Sequence, residues 1–313
     1  MSLPDATRTA AAGVALALLL AAGCAGTGPR TPEPETRYEP RYAQPANLVE
    51  IVSEFHRLGR DDVYRFDVPK DVTGTSILKA TLLRLEDFER KHGNGYHDIV
   101  GFTRATAYER LRDYPRALRH YRGVARAGGE LAEQARRQVD ALETFQRIAA
   151  TALPADDPSD YINALDERVR AWNALIERHA GTPLESLARV EAERVDRAKV
   201  AFVELNRRGL NDGDELVAVA YSELLSRHRE SKKYHRHVLD FGDYYASLAR
   251  EYALLNEPEG LAFDIKTFES FAQSAMKLYA EVAQQDGAPE KLEANGKIEG
   301  LKGMMEQMRR RSR

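Results

Sequence analysis

The chain has 313 residues, with 46 Lys and Arg against 49 Asp and Glu and a formal charge of −3. That balance excludes the strongly basic face on which nucleic-acid binders hold phosphate. Cys24 is the only cysteine, which excludes an internal disulfide and a cysteine-ligated zinc site. Charged residues at 30% and aromatics at 8% suit a soluble chain with much helical surface.

Residues 1–23 carry one basic side chain, Arg8, and then an apolar run from Ala10 to Ala22. The run is too short for a helix that crosses a hydrocarbon core, which needs about 20 residues, so it reads as a processing signal. It closes on small residues before the thiol, Leu20-Ala21-Ala22-Gly23-Cys24, and resembles a bacterial lipoprotein signal peptide. The resemblance implies cleavage before Cys24, diacylglycerol on its sulfur and acylation of the freed amine. Each buried methylene is worth ~0.8 kcal/mol, so two or three chains hold essentially permanently. Ala21 stands where the family usually has Leu, and Asp5 offsets Arg8. An ordinary secretory signal cut near Ala22 or Ala25 is the other reading. Ala25 follows the cysteine where Asp would favour inner-membrane retention, so within the family the expectation is a lipid anchor in the outer membrane, facing the periplasm.

Residues 24–46 follow as a tether. Five prolines between Gly26 and Pro45, without apolar periodicity, predict an extended, poorly ordered segment. From Asn47 to about residue 310 nearly every segment has helical spacing, which predicts an all-α domain of about eleven helices. Leu48, Ile51, Val52, Phe55 and Leu58 form the first stripe, with Asn47 and Glu50 spaced as a capping box and Gly59 as a stop. Arg60 to Gly74 lacks that spacing; it contains the one strand-like stretch, Tyr64 to Val68, and reads as a lid or docking strand. Ile77, Leu78, Thr81, Leu82, Leu85 and Phe88 make a second helix ending at Gly93, and Val238, Phe241, Tyr245, Leu248, Tyr252 and Leu255 make a long stripe further on.

Between 98 and 131, Ala105, Tyr108, Leu111, Tyr114, Ala117 and Tyr121 fall at alternating small and aromatic positions around the turn Asp113-Tyr114-Pro115. This resembles a tetratricopeptide repeat, in which such residues let two antiparallel helices pack closely. Val124 and Gly129 depart from the pattern, which usually has Ala and Pro there. A looser echo, an aromatic followed three and four residues later by aliphatic or small residues, recurs at Tyr121, Trp172, Tyr221 and Tyr279, with glycine turns at Gly128-Gly129, Gly181 and Gly287. The hairpin from Trp172 to Ala188 also looks like those of the BamD-type outer-membrane helical-repeat lipoproteins. Tyr108, Tyr121, Trp172 and Tyr279 read as core residues, and the family implies an α-solenoid with a concave groove that binds peptides or proteins.

Chemistry is sparse. None of the eight histidines makes the pair four apart, with a glutamate between, that a helical zinc protease needs. His228 and His235 are seven apart and share a helix face only if the segment is helical. Gly209 to Asp214 is rich in oxygen ligands without calcium-loop spacing; it reads as a helix stop at Gly209, a turn at Gly213 and an N-cap at Asp214. No catalytic, cofactor-binding or metal residue is assigned. Arg227, Arg229, Lys232, Lys233 and Arg236, among His228, His235 and His237, form a basic patch suited to an anionic partner, and Arg309, Arg310, Arg311 and Arg313 form another. The expectation is a lipid-anchored envelope scaffold, not an enzyme, that binds an envelope protein or peptide in a tetratricopeptide-like groove. The alternatives are an enzyme acting on peptidoglycan and a ligand-binding lipoprotein.

Overall fold

The computed structural model describes residues 40–60, 75–93, 95–154 and 157–312. Among them the chain forms eleven α-helices and no strand. They are α1 (Pro40–Arg60), α2 (Thr75–His92), α3 (His97–Arg110), α4 (Tyr114–Ala127), α5 (Ala132–Ala150), α6 (Pro158–Arg178), α7 (Pro183–Asn206), α8 (Gly213–Arg227), α9 (Tyr234–Leu255), α10 (Ile265–Ala283) and α11 (Lys291–Arg311). A single 3₁₀ turn, Arg207–Gly209, follows α7. The signal, Cys24 and the irregular stretch from Asp61 to Gly74 lie outside the described residues.

Local chemistry sets the helix ends. Asp113 accepts the Arg116 N–H at 3.1 Å and Pro115 follows in the first turn, where its missing N–H costs nothing. Asp157 accepts from Ser159 and Asp160 at the start of α6, and Asp264 from Lys266 and Thr267 at the start of α10. Gly128, Gly181 and Gly287, read as hairpin turns, all have positive φ (76°, 76° and 82°). Glu185 accepts the Gly181 N–H at 2.7 Å, and the Thr182 hydroxyl donates to the His179 carbonyl at 2.7 Å, which together close the α6–α7 turn.

Two sequence expectations change. The first helix begins at Pro40, so residues 40–46 belong to α1 and Asn47 is inside the helix, not its cap. Glu50 pairs across to Arg84 of α2 at 3.1 Å, and Glu54 binds the same guanidinium. Asp214 is not the cap of α8 either. The helix starts at Gly213 after Asp212, which has φ +51°, and the Asp214 carboxylate accepts the Tyr244 hydroxyl at 2.9 Å and pairs with Arg207 at 2.7 Å. Gly213 is required by a close approach, since a Cβ there would lie 1.9 Å from the Arg207 carbonyl oxygen.

Consecutive helices pack on one another in a solenoid-like order. One apolar core runs from α3 to α7 and joins Tyr121, Phe145, Trp172 and Leu187; another links α9, α10 and α11 around Tyr279; a third lies between α7, α8 and α9 around Tyr221 and Tyr244. Phe145 meets Trp172 edge-on at 5.2 Å, which ties α5 to α6.

Side-chain pairs fix the directions. Lys199–Glu223 and Asp196–Arg227 pair α7 with α8 in antiparallel register. Glu193–His237 joins α7 to α9, and Arg207, in the 3₁₀ turn that continues α7, reaches Glu251 of α9; both pairs are 44 residues apart, so these two helices run parallel. Arg236–Glu293 and Asp243–Lys297 align α9 and α11 in the same sense. Thus α7, α9 and α11 lie side by side, with α8 and α10 joining them.

Candidate functional site, a groove between two parallel helices

Helix α7 carries four buried charged residues, Glu191, Glu193, Asp196 and Lys199. Burying a charge is costly unless it is paired, and each of these is. Glu191 accepts the Tyr114 hydroxyl at 2.6 Å, binds Arg112, and pairs with Arg194 at 2.9 Å. Asp196 holds Arg227 at 2.7 Å and His228 at 2.8 Å. Lys199 lies between Asp166 of α6 at 2.7 Å and Glu223 of α8 at 3.1 Å. Burial works to lower the Lys199 pKa, but these two carboxylates outweigh it and leave the amine above its ordinary value. Glu193 accepts from His237 Nε2 and from the Ser231 hydroxyl, both at 2.6 Å. Burial pushes its carboxyl upward, and those two donors hold it below the usual range nonetheless.

The same packing opens a groove of about 310 Å³ lined by Arg197, Val200, Ala201 and Glu204 of α7, Tyr221 and Leu224 of α8, and His237, Asp240 and Asp243 of α9. Tyr221 is buried, lies 4.7 Å from Phe241 in a stacked arrangement and donates its hydroxyl to Glu204 at 3.2 Å. Burial, then the Glu204 and Asp240 charges, push its phenol pKa well up, so the tyrosine is a neutral donor. Asp240 is paired with Arg236 at 2.8 Å. Asp243 accepts the Tyr279 hydroxyl at 2.7 Å and the Lys297 amine at 2.5 Å. Arg197 and Glu204 are both exposed, and neither has an ion-pair partner among the described residues. His237 is 1% exposed; with Nε2 on Glu193, its buried Nδ1 has no partner among the described residues. The arrangement offers hydrogen-bond recognition over an aromatic and aliphatic floor.

A motif recurs along the fold. The Tyr121 hydroxyl of α4 reaches Glu109 of α3 at 2.8 Å, Tyr221 of α8 reaches Glu204 of α7, and Tyr279 of α10 reaches Asp243 of α9. Each time a tyrosine on one helix of a hairpin donates to a carboxylate on the helix before it. Three of the four aromatics of the sequence echo do this; Trp172, fully buried, leaves its indole N–H without a partner.

Ala105, Tyr114, Ala117, Tyr121, Trp172 and Tyr279 are buried, and Leu111 is half-buried at the end of α3. Tyr108 is half-buried at the edge of the α3–α7 core, packed against it; its ring stacks on His120 at 5.4 Å and lies under the Arg116 guanidinium at 5.5 Å. In the basic patch, Arg227 is held by Asp196 and Glu223, and Arg236 by Asp240 and Glu293, the latter at 2.8 Å. Arg229 and Lys232 are exposed around the α8–α9 turn, where the Lys233 N–H donates to Ser231 at 3.1 Å. His228 ends α8 and His235 lies in α9, so they share no helix face. At the C-terminus Arg309 pairs with Glu269, Arg310 with Glu306 and Arg311 with Glu259. Among the described residues no cluster of His, Cys, Asp or Glu has the arrangement to hold a metal ion, and no helix is long and apolar enough to cross a membrane.

Sequence reasoning missed Arg197, Glu204, Asp240 and Asp243. Their only signal was helical spacing, 197 to 204 by seven and 237, 240 and 243 by threes, within stretches dense in other charges. Comparison with protein-family models, curated proteins and solved structures finds no match.

Proposed function

We propose that this chain is a lipid-anchored cell-envelope scaffold, held in the outer membrane through Cys24 and facing the periplasm, that binds a segment of another envelope protein in the α7–α9 groove. We read its hairpins as tetratricopeptide-like and related in kind to the helical-repeat lipoproteins of the outer membrane. The observation that carries the reading is the parallel pair α7 and α9, held apart by α8, with an open groove between them that is floored by Tyr221 and edged by charges. Parallel alternate helices of this kind present continuous binding surfaces in repeat proteins. The Cys24 part rests on the sequence alone.

The test has two arms. Intact-mass spectrometry of the mature protein should find acyl chains on Cys24, and Cys24→Ser should abolish them. A photo-crosslinking residue placed at Ala201, on the groove wall, should capture an envelope polypeptide in intact cells, whereas one at the exposed Leu292 of α11 should not. An unprocessed N-terminus refutes the anchor. Equal capture from both positions refutes the groove.

A further inference from the structure

The charges of α7 divide sharply by partner. The buried ones are all neutralised, and on its exposed side Arg189 pairs with Glu185 and Arg194 with Glu191. Among the described residues Arg197 and Glu204 line the groove without an ion pair, although the acids opposite them on α9, Asp240 and Asp243, each have a cation of their own. Among the described residues the Glu204 carboxylate receives the Tyr221 hydroxyl alone. Seven helical residues separate the two positions, about 10 Å along the axis.

A helix is ~10–12 Å across with its side chains, too thick for a space of about 310 Å³. A polyproline-type chain advances ~3.1 Å per residue with three residues per turn, so side chains three apart lie on one face and match the span from Arg197 to Glu204. We propose that the α7–α9 groove takes a peptide segment in the polyproline conformation bearing one acidic and one basic side chain three residues apart, the acid on Arg197 and the base on Glu204. The segment's apolar atoms lie over Tyr221 and Leu224. The proposal rests on the scaffold reading of the same groove and adds the chemistry of the occupant.

The experiment is selection from a random-peptide phage library on the full-length chain held in detergent micelles, with wild type, Arg197→Gln and Glu204→Gln in parallel. Both substitutions are at exposed positions, and unchanged thermal melting confirms that the variants fold. Wild type should enrich peptides with an acid and a base three residues apart. Arg197→Gln should erase the acid from the consensus and Glu204→Gln the base, and a synthetic winner should bind each variant at least 10-fold more weakly. Enrichment of uncharged peptides, failure to enrich, or binding unmoved by either substitution overturns the proposal. If crosslinking from Ala201 still captures an envelope protein in that case, the occupant's chemistry is refuted and the scaffold reading stands.

Discussion

Gly242 of α9 faces the Tyr279 ring of α10, and its replacement by alanine sets two known effects against each other. A Cβ at 242 would lie 2.5 Å from Tyr279 Cε1 and 2.8 Å from Cδ1. Ordinary contact begins at 3.4 Å, so the ring has to retreat by about 0.9 Å (3.4 − 2.5). It has little freedom to do so, because Tyr279 is 1% exposed, its hydroxyl is fixed on Asp243 at 2.7 Å, and Lys297 lies over its face at 5.8 Å. Overpacking of this kind costs ~1–3 kcal/mol, while alanine is favoured over glycine inside a helix by ~1 kcal/mol. Since the ring is held, the upper end applies, and Gly242→Ala should destabilise by ~2 kcal/mol. In a Tyr279→Ala background the clash is gone and only the propensity remains, so the same substitution should stabilise by up to ~1 kcal/mol. The sign therefore reverses, with a coupling of ~3 kcal/mol between the sites. Urea denaturation of the four proteins, followed by far-ultraviolet circular dichroism, measures it. A Gly242→Ala protein at least as stable as wild type, or an equal effect in both backgrounds, refutes the packing argument.

Burial raises the Glu109 carboxyl from 4.5 to about 7 against the opposing Tyr121 hydrogen bond and the Arg110 charge. The folded state thus keeps a proton that the unfolded chain releases near pH 4.5, so this group's contribution to stability falls as pH rises from about 4.5 to about 7, by ~3 kcal/mol in order of magnitude. Glu109→Gln keeps an acceptor for Tyr121 and should flatten that part of the pH–stability profile and stabilise the protein at pH 8; an unchanged slope counts against it. Trp172→Ala, which empties the largest fully buried side chain, should cost ~3–5 kcal/mol in the same denaturation assay, and a loss under 1 kcal/mol would mean that the α5–α6 contact is not part of the core. Asp113→Ala removes the N-cap of α4 and should cost ~1 kcal/mol, with Asp113→Asn close to wild type; equal losses for both would show that capping is not what Asp113 supplies.

Helix existence and hairpin turns were legible because their signals are local. Thr81, Leu85 and Phe88 repeat every three or four residues and are buried as that spacing requires; Asp113 before Pro115 caps α4 through atoms three residues away. Boundaries were less legible where two local signals competed. Asn47 and Glu50 have the spacing of a capping box, but α1 had already begun at Pro40, and Glu50 is drawn to Arg84, 34 residues on. Asp214 is a strong cap residue that Tyr244, 30 residues away, takes for its own hydroxyl. In both cases a tertiary partner replaced the local one. Tyr108 fits the small–aromatic pattern, and the pattern fixes only its face of the helix; it packs at the edge of the core, where a neighbouring histidine and arginine cover the rest of its ring.

The groove was not legible for a reason of the same kind, carried further. What makes it is the parallel register of α7 and α9, and that register is set by pairs 44 residues apart, Glu193 with His237 and Arg207 with Glu251. No sequence period announces such a distance, because the residues between them obey only the helical spacing of their own helices. The basic stretch from Arg227 to His237 illustrates the consequence. As a string it is a block of positive charge suited to an anionic partner, yet in the fold Arg227, His228 and His237 turn onto Asp196 and Glu193 of α7, and Arg236 reaches α11. Arg227, His228, Arg236 and His237 therefore hold α7, α8, α9 and α11 in register while Arg229 and Lys232 stay exposed at the turn, whereas the groove that results displays a single arginine and a single glutamate whose neighbours in sequence gave them no distinction.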